Sequence, residues 1–155
     1  MARPDDECGS EARQPSAEVA ALRVLYERAV YRVDAPEGSF ALRVGAPSAE
    51  LDRLLRAHGA RTFAFLTAAN PHSRPLPDEL NRERNARLLA RLAAAARRCF
   101  AGVGSSAADD WPAEASWLVL DLPEPEAVEL AREFEQSALL VGELGAAVRL
   151  RFVAS

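Results

Sequence analysis

The chain contains three asparagines, Asn70, Asn81 and Asn85, and all of them fall in one short stretch, "TAANPHSRPLPDELNRERNARLL". A side-chain amide holds one acceptor and one two-proton donor in a fixed plane, so it can read a ligand or tie down a backbone. Asn81 and Asn85 are four residues apart, which places them on one face of a helix. That face continues through Leu88, Leu89, Leu92, Ala95, Ala96 and Cys99, so the two amides head an apolar stripe. Arg84, Arg87, Arg91 and Arg98 fall round the other side. A buried amide without partners costs roughly 1–3 kcal/mol. Asn81 and Asn85 therefore either bond the backbone of the 69–77 loop or present amides to a ligand at a helix N-terminus, where free N–H groups also point outward.

Asn70 precedes Pro71, and proline drives the residue before it toward extended backbone. It lies at the end of a strand, where it is either a turn residue or an amide projecting into a site. Ser73 adds a hydroxyl to this loop. His72 adds an imidazole and, with no Asp or Cys near it in sequence, reads as a surface histidine. Glu114 lies between Trp111 and Trp117, the two tryptophans, in a loop just before a strand. It could act as an acid or base if buried near the asparagine loop, or bond backbone where the strand begins. The tryptophans could form a stacking floor around it, or serve as core anchors. Gln136, at a helix-to-strand junction, repeats the rare-amide signal. The candidate ligand-binding cluster is thus Asn70, Ser73, Asn81, Asn85, Glu114 and Gln136, with no metal site and no cofactor expected.

These residues need elements to position them. Residues 1–15 are charged, contain Pro and Gly, and read as a mobile tail before one domain over 16–155. "SAEVAALRVLYERAVYRV" has helical spacing with Ser16 as N-cap, and "APEG" breaks it. "SFALRVG" alternates as a strand, and "APSAELDRLLRAHGA" is a helix capped by Ser48 and ended by Gly59. "RTFAFLTA" is apolar throughout, which suits a central strand, with Phe63 and Phe65 on one face buried under helices. A long helix is expected from about Asp78 to Arg98, then strands at "CFAGVGSS" and "SWLVLDL". Within the former, "GVGSS" is a glycine turn of low specificity. A helix at "PEPEAVELAREFEQ" precedes a hairpin of "SALLVGE" and "AVRLRFVA" across "LG". From residue 61 the order β-α-β-β-α-β-β is that of a ferredoxin-like split β-α-β core with one more strand. A helix-strand-helix extension precedes it. The expected class is α+β, with an antiparallel or mixed sheet and helices mainly on one face.

The 155 residues carry a formal net charge of −4, which weighs against nucleic acid as a partner. All 19 basic residues are arginine and isoleucine is absent, a signature of a GC-rich genome. Cys8 and Cys99 have no metal-ligand spacing. No leader-like apolar run opens the chain and no segment reaches membrane-spanning length, so a cytoplasmic bacterial protein is expected. Walker A, GxGxxG, HExxH and GxSxG motifs are missing, so any chemistry would rest on Glu114 with amides stabilising charge.

Three segments, "FAFLTAANPHSRPLPDELNRERNARLLARL", "WPAEASWLVLDL" and "AREFEQSALLV", carry a resemblance. Together they resemble the bacterial family catalogued as domain of unknown function 3293, from about Tyr26 to Phe152, with Tyr26 and Tyr31 near its start. That pattern has Thr-Ala-Trp-Asn-Pro at the strand end, a serine, two asparagines four apart, a Trp/Glu segment and a Phe-Gly-Gln-Asn-Ala segment. Here Ala69 stands where the pattern has Trp, and Glu135 and Ser137 stand where it has Gly and Asn. The resemblance implies no activity; it implies that the six cluster residues lie together in space. The expected function is binding of a small polar or nucleotide-like ligand, or alternatively a non-catalytic interaction or regulatory role with a structural cluster.

Overall fold

A computed structural model describes residues 17–95, 97–108 and 112–153. The proposed tail, the Ser16 cap, Cys8 and Trp111 lie outside the described residues. The elements are α1 (Ala17–Arg28), β1 (Val30–Ala35), β2 (Gly38–Leu42), α2 (Ala49–Ala57), β3 (Thr62–Leu66), α3 (Asp78–Ala94), β4 (Cys99–Ser105), β5 (Glu114–Leu120), α4 (Glu124–Glu133), β6 (Ala138–Glu143) and β7 (Arg149–Phe152). The described residues form an α+β fold, with four α-helices and one seven-stranded antiparallel sheet in the order β2-β1-β4-β5-β3-β6-β7.

The sheet is curled into a half-barrel. Across its open side, the chain after β2 meets the loop before β7: Gly45 N–H donates to Val148 O at 2.8 Å and Val148 N–H donates to Ala46 O at 3.1 Å. The strand period of two divides the residues between two cores. Phe63 and Phe65 of β3 face the concave side, with Tyr31, Val33, Leu118, Leu120 and α2's Leu51, Leu54 and Leu55. Ala64 and Leu66 face the convex side, with Leu88 and Leu92 of α3 and Ala127, Val128 and Ala131 of α4. The helices are therefore split between the faces, α3 and α4 outside and α2 inside, where one face had been expected to carry most of them. A curled sheet makes this possible, because its concave side needs a filler.

Gly102 in β4 makes room for the Phe65 ring on the concave side. A Cβ there would sit 2.5 Å from Arg32 O and 2.7 Å from the Phe65 ring, so only glycine lets Phe65 lie against the strand. This glycine belongs to a strand rather than to a turn.

The N-terminal region differs most from its sequence pattern. The expected single helix ends at Arg28, and β1 follows at once. Tyr31 and Val33 are buried while Arg32 and Asp34 are exposed, a two-residue alternation that overrides the helical spacing. Residues 36–37 turn a hairpin, since Ala35 pairs with Gly38 and Val33 with Phe40. The extension is thus helix-hairpin-helix. Ser48 caps α2 as expected, its Oγ accepting from Leu51 N–H at 3.1 Å. Gly59 closes it at φ +63°, where Ala60 N–H reaches back to Leu55 O.

α3 is shorter than its pattern. It stops at Ala94, Ala95 is exposed, and Cys99 opens β4 instead of ending the helical stripe. Arginines at its C-terminal end then serve the next turns: Arg97 donates to Asp121 O at 2.7 Å.

Candidate functional site

Past Leu66, β3 loses both neighbours; its last pairs are Leu66 with Trp117 and Phe65 with Leu140. Yet the chain stays inside the protein, since Ala68, Ala69 and Asn70 are all buried. A buried loop must find partners for its backbone. Here side chains supply them one after another. Ala68 N–H donates to Asn85 Oδ1 at 2.8 Å, Ala69 N–H to Thr67 Oγ1 at 3.0 Å, and Asn70 N–H to Asn81 Oδ1 at 2.8 Å. The carbonyls are met in turn: Ala68 O by Arg84 Nε at 2.6 Å and Ala69 O by Gln136 Nε2 at 2.9 Å. The asparagines of α3 thus replace the missing sheet.

Asn85 also donates to Ala115 O at 3.0 Å, which ties the loop to β5. Asn81 Nδ2 donates to Asn70 Oδ1 at 2.8 Å and weakly to Leu76 O at 3.3 Å. Asn70 Oδ1 accepts a second bond from Leu76 N–H at 2.9 Å, and its Nδ2 donates to Glu114 Oε1 at 2.8 Å. These bonds fix which end of the Asn70 amide is oxygen.

The backbone adapts to this. Asn70 has φ 48° and ψ 65°, left-handed rather than the extended form expected before proline. His72 at φ 54° and Ser73 at φ 58° are left-handed as well. Three such residues in four positions store conformational strain of order 1–2 kcal/mol each. Asparagine tolerates the region best, and the bonds to both ends of its amide hold it there.

Five segments meet around one cavity of about 170 Å³. Asn70 and Ser73 come from the loop, Glu114 from β5, and Gln136 from the turn after α4. The opposite walls are Leu22, Leu25 and Tyr26 of α1, Ala29 and Tyr31, Gly104 and Ser105 at the end of β4, and Ser106 just beyond it. A smaller cavity of about 40 Å³ is lined by the same Tyr26, Tyr31, Gly104, Glu114 and Gln136 together with Ser116.

Four of the six cluster residues, Asn70, Ser73, Glu114 and Gln136, therefore line the cavity. Asn81 and Asn85 do not; they stand behind the loop and bond its backbone. Glu114 is the first residue of β5, not a loop residue. Trp117 points to the convex face with Val119, away from Glu114 and Ser116, so it forms no floor for the carboxylate. Its buried indole N–H has no acceptor among the described residues. Arg84, placed by its pattern on the outer side of α3, has a side chain only 14% exposed and lies beneath the loop. His72 is exposed and pairs with Glu135 at 2.9 Å, a partner too distant in sequence for local inspection to find.

Tyrosines complete the cavity. Tyr31 OH donates to Tyr26 O at 2.8 Å, and Tyr26 OH lies 3.4 Å from Ser73 Oγ. Ser73 Oγ also lies 2.9 Å from Ser137 Oγ. Burial pushes both phenols above their ordinary value; for Tyr26 the Ser73 bond opposes this, and the negative charge of Glu114 adds to the rise in both. Ser116, Ser137 and Thr67 are the members that sequence reading missed. Serine and threonine are too common to stand out as the asparagines do.

The departures from the resembled pattern also find their places. Ala69 is 3% exposed and does not line the cavity. Glu135 has φ 58° and closes α4, with Gln136 N–H bonded to Ala131 O at 2.8 Å and Glu135 N–H to Arg132 O at 3.0 Å. That geometry ordinarily takes glycine. Ser137 holds Ser73.

No group of three or more His, Cys, Asp or Glu side chains among the described residues is arranged to hold a metal ion. No helix among them is long and apolar enough to cross a membrane. The fold and this loop define an α+β protein whose central strand ends in a side-chain-bonded turn. Residues 66–139, which run from the end of β3 through Glu114 and Gln136 to β6, match the family of proteins of unknown function DUF3293. No curated protein and no solved structure matches the chain.

Proposed function

We propose that the protein binds a small polar ligand in the cavity between the asparagine loop and α1. The observation that carries this reading is convergence. Asn70, Ser73, Glu114 and Gln136 come from three separate parts of the chain and line one space with Tyr26 and Tyr31. A cavity lined mainly by apolar groups with a few converging polar ones is the usual form of a small-molecule site. The strained backbone at residues 70–73 supports the same reading, because such strain concentrates where a structure positions groups for a task. The volume is roughly ten times what one water needs, which suits about ten non-hydrogen atoms and favours a small polar molecule over a nucleotide.

The α3 and α4 helices share one face, and β6-β3-β5-β4 are consecutive in the sheet. Both features support relating Thr62–Glu143 to the ferredoxin-like split β-α-β arrangement, with the N-terminal hairpin and β7 extending it.

A second reading is a non-catalytic interaction domain whose cluster is structural. Asn81 and Asn85 favour it, because both use their amides on the loop backbone. The two readings separate with Gly104→Leu. A Cβ at Gly104 would meet the Tyr31 ring at an ordinary 3.5 Å, so the longer side chain fills the cavity without backbone conflict. A thermal-shift screen of small amines, amides, polyols and carboxylates should find compounds that stabilise the wild type and not Gly104→Leu. If every stabilising compound acts equally on both proteins, the cavity is not the receptor.

A further inference from the structure

We infer that α1 is a hinged lid over the cavity, pivoting at Ala29 and latched to β7 by Phe152. Its role as a gate rests on the cavity being a site. The lid is tested without a ligand, so lid and site can fail separately.

α1 spans the concave side of the half-barrel. It ends at Arg28, and after Ala29 the chain is already β1, the second strand in the sheet order. At its other side it rests on β7, the strand at the far end of that order. Tyr26 meets the Phe152 ring edge-on with 6.0 Å between centroids, and the Arg23 guanidinium carbon lies 4.8 Å from the same ring centre. Val148, which bonds Gly45 and Ala46, lies just before β7, and Phe152 is the last residue of β7. The two bridges therefore cross the open side at opposite ends of that strand.

α1 buries little in making this crossing. None of its 12 residues is buried, whereas the shorter α2 buries Leu51, Leu54 and Leu55. Leu22, Leu25 and Tyr26 line the cavity, yet Val24 and Leu25 are 45% and 55% exposed. A helix of this length is marginal by itself in water. An element with few buried apolar contacts opens locally while the rest of the fold stays intact.

Its contacts sort into a hinge and a latch. At the hinge, Ala29 N–H donates to Leu25 O at 3.1 Å and Tyr31 OH donates to Tyr26 O at 2.8 Å. Ala29 is buried, and β1 is paired on both sides. At the latch are the Phe152 ring and Ser73, whose Oγ lies 3.4 Å from Tyr26 OH, long for a pair of hydroxyls. Tyr26 is the α1 residue that lines both cavities. Swinging α1 about Ala29 lifts this ring and opens a path to Ser116 and Gln136 behind it.

Native-state hydrogen exchange of the full chain, followed by NMR in low urea, reads the lid directly. Corrected for intrinsic rates, the amides from Leu22 to Arg28 should exchange about a hundredfold faster than those of β3. Their rates should depend little on urea, because opening a lid exposes little new surface. Losing the aromatic contact in Phe152→Ala should speed α1 exchange about tenfold, beyond any change in β3. Access is read by Ser116→Cys in a Cys8→Ser, Cys99→Ala chain, through its rate of reaction with methyl methanethiosulfonate. Ser116 is 4% exposed and lines the smaller cavity, so this rate should rise with Phe152→Ala by the same factor as α1 exchange. Should Phe152→Ala fail to fold, Arg23→Ala removes the other contact on that ring and should move both rates the same way. If α1 exchanges with the urea dependence of β3, it opens only with the whole domain and the lid falls. If α1 opens alone but the Ser116→Cys reaction does not follow it, α1 is not the gate and the inference falls as well. Either way the cavity stands or falls on the Gly104→Leu comparison.

Discussion

Asn85 and Gln136 are amides of nearly equal burial, 7% and 9% exposed, on two sides of one loop. Asn85 has both ends occupied by the protein: its oxygen accepts from Ala68 N–H and its nitrogen donates to Ala115 O. Among the described residues, Gln136 finds protein partners for its nitrogen alone. The difference separates scaffold from site. An amide matched at both ends holds a fold together, whereas one left with an acceptor facing a cavity can still take part in recognition. The same division runs through the other pair. Asn81 serves the loop backbone, and Asn70 connects that backbone to the Glu114 carboxylate.

The largest effect should come from the scaffold side. Asn85→Ala leaves the buried Ala68 N–H without a partner and should cost about 2–3 kcal/mol, read from urea denaturation. The Ala115 carbonyl loses less, because Thr67 Oγ1 still donates to it at 2.7 Å. The ratio of affinities among cavity ligands should stay unchanged in this variant, since Asn85 does not line the cavity. A change in that ratio without a matching loss of stability would erase the distinction between the two amides.

Titration should sharpen the contrast next, because the tyrosines lie on the cavity side. Burial raises Tyr31 above the ordinary 10.0, with lesser contributions from Tyr26 and Glu114. A raised phenol favours the folded state fully below the unfolded value, and that contribution is lost as pH rises above about 10. Stability should therefore fall in alkali, by at most about 1.4 kcal/mol per pH unit for Tyr31. Burial raises Cys99 as well, so the measurement is the difference between wild type and Tyr31→Phe at each pH. The phenylalanine variant should show the shallower decline. Parallel curves would place the alkaline sensitivity elsewhere.

Gln136→Met comes third on stability. It takes donors from two carbonyls, but Phe134 O keeps Arg84, so only Ala69 O is left unmet. Carbonyls tolerate this better than N–H groups do. The expected cost is about 1 kcal/mol in the same denaturation experiment, with a clear loss of ligand affinity. A cost equal to that of Asn85→Ala would mean that both amides are scaffold.

How much of this was legible in the sequence follows from the range of the interactions. The rarity of asparagine exposed the loop, and four of the six cluster residues line the cavity. The i,i+4 spacing of Asn81 and Asn85 correctly gave a shared face, and of the two partners weighed for it, loop backbone or ligand, the structure shows the loop backbone. Helical spacing alone misassigned Tyr31 and Val33, because a strand that begins directly after a helix leaves no turn signal between them. The left-handed Asn70 was hidden for a similar reason. Local sterics before proline favour extended backbone, and here bonds donated by Leu76 N–H and Asn81 Nδ2 to Asn70, and by Asn70 to Glu114, override them. Arg84 was misplaced because its acceptors, Ala68 O and Phe134 O, come from 16 and 50 residues away.

The smallest effect concerns the turn that delivers Gln136. Two helices end alike: α2 at Gly59 with φ +63°, and α4 at Glu135 with φ +58°. Glycine enters that region freely, while a side chain costs roughly 1–2 kcal/mol there. Glu135 recovers part of that cost through an exposed pair with His72 at 2.9 Å and a longer, half-buried one with Arg84 at 3.8 Å. Solvent-facing pairs contribute about 0–1 kcal/mol, and the Arg84 pair is long and shares its carboxylate with solvent. Glu135→Gly should therefore raise stability by about 0.5 kcal/mol, a net of the two effects, whereas Gly59→Ala should lower it by about 1 kcal/mol. Paired urea denaturation of the two variants reads both signs. If Glu135→Gly is destabilising, the pairs to His72 and Arg84 outweigh the backbone strain. The glutamate would then act as a clasp between α4 and the asparagine loop, and Gln136 would owe its position to charge as well as to backbone geometry.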